Sequence, residues 1–211
     1  MTDSPLLIYI HGFNSSARSA KAVQLQQDLS RQAFDSELWL PDLPHWPAQA
    51  VRVLFARLRP EVGQRPIALI GSSLGGYYGT WLRERLLAES PPGTRIPLVL
   101  INPAVRPYEY WGGYLGPQQN HHTGERYELT QDHLRQLVLL DIGEVSEPDD
   151  CLLMVQTGDE TLDYRRALDR YAGCRQRVEE GGSHGFDGFE AALPEIYRFF
   201  NLSMRSDITL I

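Results

Sequence analysis

Three side chains far apart in the chain have the types needed to move a proton and attack a carbonyl: a serine, a histidine and an aspartate. Gly71-Ser72-Ser73-Leu74-Gly75 follows the apolar run Ile67 to Ile70 and precedes a stripe of helical period, Tyr78, Leu82 and Leu86. A G-x-S-x-G pentad in that setting makes a sharp strand-to-helix turn that exposes the hydroxyl of the central serine, Ser73. The turn strains the backbone at Ser73, and Gly71 and Gly75 leave space where a Cβ would crowd it. The helix starts beneath the hydroxyl, so its N-terminal amides and partial positive charge face the reacting centre. Ser72 lacks the flanking glycine spacing. Alone, the pentad would be a glycine-rich turn with an incidental serine, so the reading rests on what else the chain supplies.

A serine at its ordinary pKa is a poor nucleophile and needs an imidazole to take its proton and return it to the leaving group. His184 in Gly181-Gly182-Ser183-His184-Gly185-Phe186 lies between the last strand candidate and the last helix, with glycines that give it reach. A carboxylate must then orient the imidazole and stabilise its cation. Gln156-Thr157-Gly158-Asp159-Glu160-Thr161-Leu162-Asp163 offers three candidates. Asp159 comes first after the strand, Asp163 reads as a helix cap, and Glu160 is expected to point away. The order serine, acid, histidine fits the same turn motif. Two amides complete the set: the N–H of Leu74, directly after the serine, and that of Phe13 in the loop His11-Gly12-Phe13-Asn14-Ser15. His11 reads as a residue bracing that loop rather than as the base. Histidines 45, 121, 122 and 133 have no comparable setting, and the adjacent pair 121–122 is too close to give two ligands from one face. No metal and no cofactor is expected.

These residues need a scaffold that brings distant loops to one edge. Short aliphatic runs alternate with stretches of helical period, the pattern of a parallel sheet covered on both faces. The expected fold is α/β, a three-layer α/β/α sandwich with a mostly parallel sheet. Strands are expected at Leu6 to Ile10, Ile67 to Ile70, Leu98 to Ile101, Cys151 to Gln156 and Gln176 to Glu179, with a weaker one near Glu37 to Leu40. All are taken as continuous apolar runs, as strands buried on both faces should be. Helical stripes are Ala22, Leu25 and Leu29; Val51, Leu54, Phe55 and Leu58 after Pro47; Tyr78, Leu82 and Leu86; and Tyr164, Ala167, Leu168 and Tyr171 behind Asp163 as cap, ending at Gly173. The last helix ends at Phe200 and is expected to start at Pro194, with Asp187 capping a separate short turn.

The 211 residues, 42% of them hydrophobic, suit one domain spanning 1–211. An aromatic, glycine- and proline-containing insertion occupies about 103–124, and an acidic linker covers 143–150. The net charge of −7 and the lack of a basic patch argue against a nucleic-acid partner. Leu6 to Ile10 is too short for a membrane span or a signal core, so a cytoplasmic protein is expected. Cys151 and Cys174 read as reduced structural thiols. Lys21 is the one lysine among 20 basic residues, a skew with no evident mechanism. No account of the tail beyond Ser203 follows from the residues.

Taken together the chain resembles an α/β-hydrolase, and more narrowly the bacterial YqiA-like esterase family of small, nearly lidless hydrolases. The carriers are His11 to Ser16, Gly71 to Tyr78, Asn102-Pro103-Ala104-Val105-Arg106-Pro107, Gln156 to Glu160 with Leu162-Asp163-Tyr164-Arg165, and Gly181-Gly182 with His184. The resemblance implies a serine esterase acting on small acyl esters or thioesters without a cofactor, with Ser73, Asp159 and His184 as its triad. The shortness of the chain suggests that the antiparallel strands opening larger hydrolases are missing, leaving a sheet expected to start with the strand before His11. Non-catalytic binding on the same fold is the alternative. Tyr108, Tyr110, Trp111 and Tyr114 would roof the serine; a packed excursion and a homodimer contact are the other readings of that stretch. Arg106 is expected to brace its loop against the acidic linker.

Overall fold

The computed structural model describes residues 4–202; the tail after Ser203 lies outside them. Six strands form one wholly parallel sheet, and two more form a separate antiparallel hairpin. In chain order they are β1 (Leu6–Ile10), β2 (Glu37–Trp39), β3 (Ile67–Ser72), β4 (Leu98–Ile101), the hairpin strands β5 (Gly116–Gln119) and β6 (Arg126–Leu129), then β7 (Cys151–Gln156) and β8 (Arg175–Glu179). The main sheet runs β2-β1-β3-β4-β7-β8, so the order reverses after β1. Among the described residues its first strand is the one that leads into His11-Gly12-Phe13.

The four central strands are buried at every residue, which is why they read as unbroken aliphatic runs. Alternate residues feed two cores. Leu6, Ile8, Leu69, Leu98 and Leu153 pack against α2 (Pro47–Leu58), α3 (Leu74–Ala88), α4 (Gln131–Leu139) and α5 (Tyr164–Arg170). Leu7, Ile70, Val99 and Met154 pack against α1 (Ala20–Gln32) and α6 (Phe189–Phe199). These are the three layers expected. The edges differ: β8 is largely exposed and carries Arg175, Arg177 and Glu179 rather than an apolar run. A charged edge is what discourages pairing with another chain.

Two helices depart from the sequence reading. Helix α6 begins at Phe189 and runs through Pro194, and Asp187 caps no turn of its own; its carboxylate accepts from Ser183 Oγ at 2.7 Å. Burial of Phe189, Leu193 and Ile196 on one face drives the helix across the proline. The hydrogen bond forfeited is the one to the carbonyl of Glu190, an exposed residue in the first turn, so the cost is small beside the buried face. Helix α4 was not anticipated. Its capping box uses Thr130 with His133 in the place where glutamate or glutamine usually marks a helix start.

Candidate active site

Ser73, Asp159, His184 and the Phe13 loop each follow the carboxyl end of a parallel strand, the edge where open α/β sheets bind ligands. Ser73 follows β3 with φ 55° and ψ −122°, a left-handed φ that is costly for any residue with a Cβ. Its amide donates to the Ile101 carbonyl at 3.0 Å, and its carbonyl accepts from Gly76 at 2.9 Å and Ala104 at 3.0 Å. The turn closes so tightly that a Cβ on Gly75 would come within 2.0 Å of the Ile10 carbonyl oxygen, and one on Gly71 within 2.4 Å of that of Gly75. Ser72 is buried beside Tyr9.

His184 Nε2 lies 3.0 Å from Ser73 Oγ, and its Nδ1 lies 2.8 Å from Asp159 Oδ2. The Asp159 side chain is 1% exposed and that of His184 23%. Burial by itself would raise the Asp159 carboxyl. The hydrogen bond from His184, together with backbone N–H groups of Leu162 at 2.8 Å and Thr161 at 2.9 Å, outweighs it and holds the group below its ordinary value. An ionised Asp159 accepts the Nδ1–H, which leaves the Nε2 lone pair facing the serine hydroxyl. Asp163 instead caps α5, accepting from the Arg165 amide at 3.1 Å.

Glu160 does not point away. Its carboxylate accepts the backbone N–H of His184 at 3.0 Å, and that bond lowers its pKa. Asp159 and Glu160 both turn their carboxylates toward the histidine loop, one to the ring and one to the backbone amide. Two buried amides that the sequence places in motifs but gives no role also hold this loop. Asn102, at φ 40°, donates through Nδ2 to the Ser183 carbonyl at 3.0 Å and the His184 carbonyl at 3.2 Å, while its Oδ1 accepts from Gln156 N at 3.0 Å. Gln156 Oε1 takes the amides of Ser183 at 3.1 Å and Asp187 at 2.8 Å. A polar amide ending an otherwise apolar strand is the signal that marks both. Lys21, the only lysine, donates to the carbonyl of Gly185 at 2.7 Å, so it too secures the histidine loop.

On the other side of Ser73, a Cβ on Gly12 would lie 3.1 Å from Ser73 Cβ and 3.5 Å from its Oγ, so this loop abuts the hydroxyl. Among the described residues, neither the Phe13 amide nor the Leu74 amide donates to a protein acceptor. His11 accepts the Leu43 amide at Nε2, 3.1 Å, and bonds the Gly12 carbonyl through Nδ1 at 2.8 Å, bracing the strand end as expected. The four aromatic residues of the insertion divide. Trp111 packs on Phe13 with ring centroids 4.5 Å apart, and Tyr108 donates to Asp141 at 2.6 Å. Tyr110 and Tyr114 wall a cavity of about 290 Å3 with Pro103, Val105, Leu162 and Arg166. Arg106 faces Asp141, just ahead of the acidic linker, at 3.4 Å.

His45 and His133 do share a setting, with Nδ1 of one 3.0 Å from Nε2 of the other. The two buried thiols, Cys151 and Cys174, are free and in mutual contact. Among the described residues no group of three or more metal-ligating side chains is placed to hold an ion, and no helix is long and apolar enough to cross a membrane.

A parallel sheet between two helical layers, with a strained serine turn at its carboxyl edge, defines an α/β-hydrolase fold. Solved structures of that fold superpose over nearly the whole chain. Alpha/beta hydrolase domain-containing protein 10 from mouse is 17% identical, with 94% of this chain and 91% of that one covered and a TM-score of 0.66. Est1E from Butyrivibrio proteoclasticus is 16% identical, with 95% and 88% covered and a TM-score of 0.64. The type II thioesterase BorB from the borrelidin biosynthetic cluster is 14% identical, with 95% and 94% covered and a TM-score of 0.61. At these identities the likeness is one of architecture. The chain itself belongs to the uncharacterised protein family UPF0227, whose profile matches residues 6–201, and this is the YqiA-like family that its motifs resemble.

Proposed function

We propose that the protein is a serine hydrolase of carboxylic esters, and of thioesters with the same machinery, working through an acyl-enzyme. The observation that carries this reading is the chain of contacts from Ser73 Oγ to His184 Nε2 at 3.0 Å and from His184 Nδ1 to Asp159 Oδ2 at 2.8 Å, with the serine on a strained turn. Ser73 Oγ attacks the ester carbonyl carbon as His184 Nε2 takes its proton. The C=O π bond opens to an oxyanion that the amides of Phe13 and Leu74 stabilise. Collapse re-forms the carbonyl and breaks the bond to the leaving alkoxide or thiolate, which His184 protonates. Water then attacks the acyl-serine, giving its proton to His184, and the second collapse releases the acid and returns the proton to Ser73. Asp159 keeps the imidazole in the tautomer this requires and stabilises its cation. The cavity beside the Asp159 turn, about 290 Å3, suits a compact apolar acyl or alcohol group.

Turnover of p-nitrophenyl butyrate and labelling by a fluorophosphonate test this. The wild type is expected to do both, and Ser73→Ala to lose about 10³-fold or more in kcat/KM with an unchanged unfolding midpoint. A Ser73→Ala protein that retains its activity overturns the assignment. A wild type that is neither active nor labelled points to a binding protein on this fold.

A further inference from the structure

The insertion between β4 and α4 does more than wall a cavity, because its hairpin grips the loop that carries the Phe13 amide. Asn14, next to Phe13, holds a left-handed φ of 50°. Its Nδ2 donates to Gln118 Oε1 at 3.2 Å, and its Oδ1 accepts from the Tyr127 hydroxyl at 2.7 Å. Gln118 and Tyr127 are directly opposed partners across the β5–β6 ladder, so one rung of the hairpin holds both ends of one amide. The contacts continue on either side. The Ser15 carbonyl accepts from Asn120 Nδ2 at 2.8 Å, and Arg18 donates to the His122 carbonyl at 3.0 Å. Asn120 Oδ1 in turn accepts the amides of His122 at 2.8 Å and Thr123 at 3.0 Å, closing the hairpin turn. The phenol is itself fixed: its ring stacks on His45 with centroids 4.1 Å apart, and burial raises its pKa, so it stays a donor.

We infer that Gln118 and Tyr127 are positioning residues that act through Asn14 to hold the Phe13 amide where the oxyanion forms. The inference rests on the esterase reading. An oxyanion donor helps only if it is in place before charge develops, and removing one costs about 10²- to 10³-fold in rate. The Phe13 loop has no ladder bonds of its own, and an error of about 1 Å at a reacting centre costs on the order of 10²-fold. The hairpin supplies the constraint that the sheet does not.

Tyr127→Phe keeps the ring and its stack on His45 but removes the donor. Asn14→Gly keeps the left-handed backbone accessible but removes both side-chain bonds. Glu128→Gln, on the exposed side of the same strand, is the control. Four readouts apply: kcat and KM for p-nitrophenyl butyrate, the inhibition constant of a trifluoromethyl ketone that mimics the tetrahedral adduct, hydrogen exchange of the peptide 12–18, and the unfolding midpoint. Tyr127→Phe is expected to lower kcat about 10-fold and Asn14→Gly about 50-fold, each with KM within about twofold, as fractions of a full donor loss. Ketone affinity should weaken in proportion to kcat/KM, exchange in 12–18 should quicken, and Glu128→Gln should match the wild type. Unchanged kcat and ketone affinity in both variants overturn the inference, as does a loss that tracks only a lower unfolding midpoint while exchange in 12–18 stays the same. A wild type that neither hydrolyses esters nor labels at Ser73 defeats the esterase reading, and with it the catalytic meaning of the clamp. Exchange in 12–18 then reads the physical grip alone: faster exchange in the variants supports it, and unchanged exchange overturns it.

Discussion

The two flanks of Ser73 are held in different ways. On the acid flank, Asp159, Glu160 and His184 come from loops after β7 and β8, which are paired neighbours in the sheet, and the bonds between them join residues only 24 or 25 positions apart. The sheet register nearly brings these loops together by itself, and Asn102 and Gln156 at adjacent strand ends close the remaining distance. On the amide flank, Asn14 is tied to Gln118 and Tyr127 across 104 and 113 positions, by a hairpin that is no part of the main sheet. Both loops follow strands of the one sheet, but on the acid flank the bonding partners come from neighbouring strand ends, whereas on the amide flank they come from a hairpin outside the sheet.

Disturbing each flank should therefore give a different signature. The largest effect is expected on the acid flank. Asp159→Asn leaves a hydrogen-bonding group of the same shape but lets the imidazole take the wrong tautomer, and kcat should fall about 10³- to 10⁴-fold with little change in KM. A loss under tenfold would mean that another carboxylate orients His184, and Glu160 would be the one to test.

The amide flank should instead show a pH-dependent stability. Burial, and next the adjacent His45, push His133 down to about 4, whereas the unfolded residue titrates near 6.5. Above about pH 6.5 both states leave it neutral and it adds no pH dependence. As pH falls from there toward 4 the unfolded chain takes up a proton that the folded one refuses, so stability drops. Urea unfolding of the wild type and His133→Gln at pH 7.5 and 4.5 measures this: the wild type should lose more. Equal losses would remove His133 as the cause.

The smallest effect belongs to Glu160. Glu160→Ala frees the His184 amide to bond water, and kcat/KM should fall about fivefold, since a single exposed hydrogen bond is modest. Steady-state assays across the series separate that from Asp159→Asn; a loss as large as the aspartate's would mean that Glu160 shares in orienting the ring.

Much of this arrangement could be read from the chain. The central strands lie where aliphatic runs occur, because burial on both faces leaves no polar alternation to confuse them. Ser73, His184 and Asp159, chosen from motif and order, are brought within hydrogen-bonding distance. What was misread has local causes. Pro194 was given the weight it has in an isolated helix, but the buried face from Phe189 to Ile196 outweighs one missing bond. β8, expected as a buried apolar run, is an exposed edge strand, as its charges mark. The α4 start is hidden by a histidine cap, and nothing local to Glu160 marks the His184 amide, 24 positions away, that its carboxylate meets.

The sequence by itself determined the layers, the sheet that carries them and the three side chains that follow strand ends, since periodicity and turn chemistry act over a few residues. The tertiary structure alone decided how the Phe13 loop is held and which buried amides steady the histidine. Such contacts join residues tens to more than a hundred positions apart, and no local pattern encodes a pairing that exists only once both partners are folded.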